Sequence, residues 1–455
     1  MTERTIKRIV RTGRKSESSD FPFTYEMIPS QNGKGSDLVQ NYRNQAWETY
    51  QSLVIPTTQM EPWRRTDIKR LDVGNFRFPE KDAYLDLAPV PEHLLAPLLG
   101  DQHGGQITLQ PGGVSVELNE TLAQKGVIFT DLATAEEKHP EILAKILGQA
   151  IKPEEGKFAA LTATFSRQGV LLYVPRNVTV DEPLHSVIWA PGTGLAHLYH
   201  TLVYLEEGAS ATIVQESASP KMEDAQTLVS GIVEIYVGAN AQLRFVELQS
   251  LGRHVWNFSH ERSRVQRDGN IDWIFGAIGS HLTKNFSELD LDGQGANGRM
   301  SGFYFTDGVQ HLDHDTQQNH NAPNTTSDLL FKGALKDTSR SVWQGMIYVA
   351  PGAQKTDGYQ ANRNLVLNPK ARADSIPGLE ILADDVRCTH GATVGKIDPE
   401  LVFYLQSRGV PLHDAERLIV DGFLTRSCSV FLMKGCENDF QRPFSIKWVR
   451  TSFYC

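Results

Sequence analysis

From Gly169 onward the chain changes its hydrophobic grammar. Short runs rich in β-branched and aromatic residues follow one another at 170–174, 186–189, 202–205, 232–236 and 243–246. Such runs suit a pleated surface buried on at least one side, and they predict strands. Nothing helical interrupts the pattern before residue 395. The turns between the runs repeat as well. Glu207-Gly208-Ala209, Val237-Gly238-Ala239, Asp268-Gly269-Asn270 and Gly295-Ala296-Asn297 place glycines 30, 31 and 26 residues apart, and Pro351-Gly352-Ala353 follows. An antiparallel sandwich would use comparable strands, but rhyming turns at a near-constant period favour a β-solenoid, whose coils bury their apolar faces only by stacking.

On either side the period is helical. Ser36 and Asp37 are suitable caps for a helix carrying Leu38, Tyr42, Ala46, Tyr50 and Leu53, with a break at Pro56. Pro140 suits a first helical turn, and Leu143, Ile146, Leu147 and Ile151 form a stripe behind it. At the other end Asp398 caps, Pro399 and Glu400 open a helix, and Gly409 closes it after Arg408. A second helix is predicted from Pro411 through Ala415, Leu418 and Ile419 to Gly422, so that a helical hairpin caps the solenoid. The expected organisation is a flexible tail over 1–35, a helix-rich region over 36–165, a β-helix core over 166–396, a helical segment over 397–424 and an atypical tail over 425–455.

Composition narrows the function. Of 455 residues, 40% are apolar and 22% charged, and no run of about 18 apolar residues occurs, which excludes a disordered chain and predicts no membrane span. Lys and Arg number 45 against 54 Asp and Glu, and the net charge of −9 argues against nucleic acid as a partner. The four cysteines, Cys388, Cys428, Cys436 and Cys455, make no disulfide framework for a chain of this size, so a reducing cytoplasm is expected rather than an organellar stroma. The basic stretch over residues 1–19 lacks the apolar segment of a secretory signal and contains acidic residues, consistent with a frayed tail.

Two clusters carry candidate chemistry. His311-Leu312-Asp313-His314-Asp315, with His320 beyond, has metal-ligand residue types. Strand alternation puts His311, Asp313 and Asp315 on one face and His314 on the other, which disfavours a single metal site and favours a structural role. In the second cluster, Cys388 and His390 project from the same face of a strand about 7 Å apart, near enough to share a soft metal or for the imidazole to lower the thiol pKa, whereas a lone buried cysteine is usually just a small hydrophobe. The chain has no G-x-x-x-x-G-K-[ST], no G-x-S-x-G and no strand-linked G-x-G-x-x-G, so nothing local supports nucleotide hydrolysis, hydrolase chemistry or dinucleotide redox.

Several segments resemble one family. Lys355-Thr356-Asp357-Gly358-Tyr359-Gln360, Arg363-Asn364-Leu365, the run from Asp374-Ser375-Ile376-Pro377-Gly378 through Arg387-Cys388-Thr389-His390-Gly391-Ala392-Thr393, and Phe403-Tyr404-Leu405-Gln406-Ser407-Arg408-Gly409 are similar to the SufB/SufD family of iron-sulfur cluster assembly proteins. Residues 169–175 and 311–327 and Glu61-Pro62-Trp63-Arg64-Arg65-Thr66 extend the resemblance to about residues 40–424. The SufD branch fits better, because residues 365–373 lack a cysteine and His390 is followed by Gly391 rather than Glu. After Leu424 the chain departs from the family pattern.

The resemblance implies a right-handed parallel β-helix with a helical N-terminal region and a C-terminal helical segment. It implies a non-catalytic scaffold subunit that pairs with a SufB-like subunit and docks a SufC-like ABC ATPase through Phe403, Tyr404, Leu405 and Arg408. A transient iron-sulfur cluster would form at the shared interface, with Cys388 and His390 there as ligands for iron. A SufB-like main scaffold is the nearer alternative. The more distant one is a β-helix enzyme acting on polysaccharide, built on Asp313, Asp315, Asp328 and Lys332.

Overall fold

A computed structural model describes residues 20–29, 36–79, 87–97, 102–223 and 225–428. Most of the tails expected over 1–35 and 425–455, with Cys436 and Cys455, lies outside the described residues. The strands form two sheets, one of ten and one of nine strands, and beyond Gln168 successive strands alternate between them. Each coil therefore gives one strand to each sheet, and each strand pairs in parallel with the strand two further along the chain. This is the parallel β-solenoid that the turn spacing predicts.

Every coil must reverse direction in a few residues at the same place, and this demands a left-handed backbone position. Gly208, Gly295 and Gly352 supply it with φ of 70°, 74° and 83°, and Asn240, Asp268, Asn324 and Asp337 supply it at the intervening turns with φ of 54° to 57°. Glycine, asparagine and aspartate are the residues that adopt this conformation at least cost. The strands are longer than their apolar runs, Thr227–Val237 and Gln242–Leu251 for instance. Ladder pairing with neighbours on both sides carries the polar ends along.

Inward positions of the first coils are aliphatic: Val203, Ile213, Val233, Ile235 and Leu243 are buried in one continuous cluster. Farther along the stack polar groups enter. Glu261 is buried and accepts from the Asn285 side-chain amide at 2.6 Å and the Ser287 hydroxyl at 2.9 Å. Glu247 faces it with an oxygen out of reach of solvent and without a partner. Burial first, and the Glu261 charge second, push the Glu247 carboxyl well above the usual carboxylate range.

Outside the nine-stranded sheet lies the helical N-terminal region. The helices Ser36–Ser52 and Lys157–Phe165 pack together, and Phe158, Leu161 and Phe165 meet Leu198, Leu228, Trp256 and Phe258 of the sheet. Three buried polar anchors fix this layer. Glu234 accepts the backbone N–H groups of Gly148, Ala150 and Ile151, and the His200 ring nitrogen lies 2.8 Å away. Lys157 donates to the carbonyls of Tyr50 and Leu53, where the first helix ends, and to Asp20. Arg43 pairs with Glu136 at 2.6 Å. The stripe predicted from Pro140 to Ile151 is helical only over Pro140–Ile146, although Ile151 is also buried.

The two ends of the stack differ. At the N-terminal end the strand Ile128–Asp131 pairs antiparallel on the nine-stranded sheet, and the hairpin Gly105–Gln110 with Gly113–Leu118 extends the ten-stranded one. At the C-terminal end the helices Pro399–Gln406 and Leu412–Cys428 do not cap the solenoid as the sequence suggested. The second helix instead lies along the outer face of the ten-stranded sheet, with Val420, Phe423 and Leu424 against Ile274, Phe303, Phe305 and Ala334. That face offers exposed aromatic rings to cover, and Lys332 fixes the helix by donating to the Phe423 carbonyl at 2.8 Å. The helix also continues through Gly422 to Cys428, because packing on the sheet offsets the glycine cost of about 1 kcal/mol.

The carboxyl pair yields a stability prediction. A carboxyl whose pKa is raised in the folded state binds its proton more tightly there, so its contribution is lost as pH rises above the usual range near about 4.3. Glu247→Gln puts a permanent N–H where the proton sits. Its melting temperature should exceed that of the parent at about pH 8 and vary less between about pH 6 and 9, as scanning calorimetry would read. A parallel pH dependence in both proteins would refute the raised pKa of Glu247.

Candidate functional site

The last coil is the place where the stack runs out of neighbours. Among the described residues, strand Val386–Gly395 pairs only with Thr356–Val366, and strand Arg372–Ile381 only with Arg340–Val349. Each leaves one row of backbone N–H and C=O groups unpaired, a template for another strand. Leu379, Ile381, Leu382 and Val394 are exposed beside these rows.

Cys388 and His390 stand on this terminal strand. Cys388 lies in register with Gly358 and His390 with Gln360, one coil below. Gln360 is fully buried, so alternation directs Cys388 and His390 toward the interior side, where the absent next coil leaves His390 exposed. Cys388 is half-buried and packs on Ile347, Val349 and Ala353. Burial pushes its thiol up, the backbone of Gly358 opposes, and the nearby Asp357 charge adds to the rise. Cys388 is thus a protonated thiol at neutral pH in the isolated chain, and metal binding would have to displace that proton.

A feature the sequence did not flag lies directly beneath. A Cβ on Gly358 would sit 3.3 Å from Cys388 Sγ and 3.3 Å from His320 Nε2. His320 belongs to strand His311–His320 of the other sheet, and only the coil register brings it under Cys388. It is fully buried, its ring nitrogens contact Thr325 Oγ1 at 2.7 Å and Ser327 Oγ at 2.8 Å, and burial lowers its pKa to about 4.

The rest of the first cluster is structural, as alternation indicated. His311, Asp313 and Asp315 share the outer face, where buried Lys284 binds Asp313 at 2.9 Å and Asp315 at 2.7 Å. Thr66, from the Glu61–Trp63 turn segment, bonds both His311 and Asp313 and ties the N-terminal region to the sheet. With an ammonium between them the two carboxylates are not free for calcium, which removes the geometry a polysaccharide-cleaving site would need. His314 points inward and stacks on Tyr304 at 5.5 Å, and its pKa is lowered by burial to about 4. Among the described residues no group of three or more His, Cys, Asp or Glu is arranged to hold a metal ion.

The hairpin presents a second surface. Phe403 is 71% and Tyr404 53% exposed, and Leu401, Leu412 and Leu418 are similarly open. Leu405 is half-buried, and the Arg408 guanidinium lies 4.0 Å from the Tyr404 ring centre. The helix Pro399–Gln406 stops before Arg408, and Gly409 takes a φ of 85° in the turn that follows. This helix has no buried residue, and Leu401, Phe403 and Tyr404 leave apolar surface uncovered among the described residues.

Residues 188–423 match the family model of the SufBD core domain of SUF-system iron-sulfur cluster assembly, and residues 113–185 match the SufBD N-terminal region. Proteins called iron-sulfur cluster assembly SufBD family proteins in Staphylococcus epidermidis and Staphylococcus aureus are each 30% identical over 310 residues, 68% of this chain and 66% of theirs. The chain therefore spans just under two thirds of the length of these relatives. It belongs to the SufBD family of iron-sulfur cluster assembly proteins. Among the described residues no helix is long and apolar enough to cross a membrane.

The environment of Cys388 makes its reactivity predictable. With Cys428, Cys436 and Cys455 changed to serine, alkylation of Cys388 by iodoacetamide should be slower than that of a free thiol at about pH 7.5. It should rise through and beyond the usual thiol range near about 8.5. A rate above that of glutathione at neutral pH would contradict the raised pKa.

Proposed function

We propose that the chain is a SufD-like, non-catalytic scaffold subunit that pairs with a SufB-like subunit through the open end of its solenoid. The carrying observation is that both sheets end there with unpaired backbone, apolar side chains, a thiol and an imidazole in one place. Strand-to-strand pairing would complete both sheets and bury Leu379, Ile381 and Val394, while Cys388 and His390 would face the partner's terminal coil. Iron and sulfide are the cargo. A thiolate and an imidazole are suitable ligands for iron, and an incomplete ligand set on this side suits a cluster that is built and passed on.

The exposed side chains of the hairpin support docking of a SufC-like ABC ATPase. Phe403, Tyr404 and Leu405 offer an apolar anchor, and Arg408 stacked on Tyr404 supplies a charge at its rim. ATP hydrolysis then belongs to the partner, since the sequence contains no phosphate-cradling loop. The cysteine usage and acidic charge fit assembly in the cytoplasm, with no nucleic acid involved.

Two experiments test these assignments. Tyr404→Asp with Leu405→Asp should abolish co-purification of the ATPase while leaving the melting temperature within about 2 °C, because Tyr404 is exposed, Leu405 is only half-buried and their helix contains no buried residue. Unchanged capture would remove the hairpin from the docking surface. His390→Ala should leave folding and complex yield intact but sharply lower the cluster content of the complex recovered from cells. Full cluster content in an intact His390→Ala complex would overturn the role of the open end.

A further inference from the structure

At the opposite end of the stack from the open coil, a short segment lies over the outer face of the ten-stranded sheet. Residues 87–97 run past Gly192, where a Cβ would meet Leu87 at 2.9 Å, and set Val90 and Leu94 against Trp189 and Ala218. The segment has one helical turn, Glu92–Leu95, and among the described residues no backbone bond ties it to a strand. Three side-chain donors hold it instead. Trp189 Nε1 donates to the Ala88 carbonyl at 2.7 Å, and Gln106 Nε2 at 2.9 Å and His103 Nε2 at 3.2 Å both reach the Leu95 carbonyl.

The supply of hydrogens fixes the donors at this site. Gln106 and His185 stand opposite each other on neighbouring strands, with the Gln106 amide nitrogen 3.0 Å from His185 Nδ1. The amide has two hydrogens, and the Leu95 carbonyl and His185 Nδ1 use both, so Nδ1 carries none. His185 is then neutral, and its Nε2–H donates to Glu216 Oε1 at 2.8 Å, with both side chains buried. No Gln106 hydrogen remains for His103 Nε2 at 3.2 Å, so that nitrogen donates its own to Leu95. The His103 ring stacks on His185 with ring centres 4.7 Å apart. Burial first, and His185 second, lower the His103 pKa, against the Leu95 bond and the charges of Glu216 and Glu117. The other charged groups nearby are Glu182, which accepts from Gln102 at 2.6 Å, and the exposed Glu92 and His93 of the segment itself.

We propose that His185, Gln106 and the Leu95 carbonyl form a proton-operated latch, which opens when acid protonates His185 Nδ1 and frees residues 87–97 from the sheet. The proton comes from solvent, and no other covalent bond changes. With a hydrogen on each ring nitrogen, His185 keeps its bond to Glu216 and becomes its ion-pair partner, so the buried carboxylate holds the new charge. Nδ1–H then faces the Gln106 amide nitrogen, donor against donor. Turning the amide offers its oxygen to Nδ1 and takes its nitrogen away from Leu95, which leaves only the His103 bond at that carbonyl. Val90 and Leu94 lift from Trp189 and Ala218, and an apolar patch opens on the outer face of the sheet. The device needs only a histidine whose charged form demands the opposite orientation of its neighbour.

The test is fluorine NMR of the full chain labelled with 5-fluorotryptophan, in which the Trp189 signal is identified by its loss in Trp189→Phe. A soluble gadolinium chelate should leave that signal sharp at about pH 7.5, and acidification through the imidazole range near about 6.5 should shift and broaden it. The signals of Trp256 and Trp273 should stay as they are. His185→Gln, which keeps a donor for Glu216 and an acceptor for Gln106, should hold the Trp189 signal constant down to about pH 5.5. Glu216→Gln removes the charge that holds the imidazolium, so the change should move at least about one pH unit lower. This second variant decides the matter if His185→Gln does not fold. A Trp189 signal in the parent that ignores pH, an equal response in folded His185→Gln, or an unmoved midpoint in Glu216→Gln would overturn the latch. Loss of the response in His103→Gln but not in His185→Gln would overturn it as well, and so would a joint change of Trp189, Trp256 and Trp273, which marks acid unfolding.

Discussion

Everything in this molecule depends on the register of one coil upon the next. Parallel strands about 4.8 Å apart hydrogen-bond along their whole length, and the inward side chains of one coil rest on those of the coil below. Because each coil satisfies its backbone only through its neighbours, such a stack cannot close on itself. One end here is finished with antiparallel strands from the N-terminal region, and among the described residues the other is left open. The open end concentrates the unsatisfied backbone, the exposed Leu379, Ile381 and Val394, and the two side chains with ligand chemistry.

The same register explains how polar groups are tolerated inside. Burying an unpaired polar group costs several kcal/mol, and the interior meets that cost with side-chain ladders between coils. Glu261 binds Asn285 and Ser287 of the next coil of its own sheet. Tyr304 donates to Asn364, two coils away on its own, ten-stranded sheet, at 2.6 Å. Each bond joins residues about one or two coils apart in sequence, so a slip of register would strand several groups at once. The interior becomes more polar toward the open end, where a few atoms remain without partners, Gln318 Oε1 and Gln360 Oε1 among them.

The outer faces divide the remaining work. The nine-stranded sheet is covered by the N-terminal region, which Glu234, Lys157 and the bonds of Thr66 to His311 and Asp313 hold in place. The ten-stranded sheet is only partly covered, by the second helix of the hairpin, and this leaves the first helix projecting with its apolar residues uncovered. The proposed assembly surfaces thus rest on incomplete burial at two places among the described residues: the last coil and the first helix of the hairpin. Both surfaces belong to rigid elements, which suits a scaffold that must hold partners in fixed relation.

Much of this was legible in the chain. The β-branched runs and the turn spacing specified the solenoid, since stacked coils require a turn residue of the right backbone freedom at a regular interval. Alternation alone separated His314 from His311, Asp313 and Asp315, and put Cys388 and His390 on one side. The hairpin helices were visible through Asp398, Pro399 and Pro411, but their position was not, because amphipathic helices state that they must be covered without stating by what. Local sequence determines element type and which face of a strand a residue takes, for these follow from near neighbours. That His320 lies beneath Cys388, that Lys284 neutralises Asp313 and Asp315, and that the last coil stays open are set by contacts between distant residues, which only the stacked tertiary structure brings together.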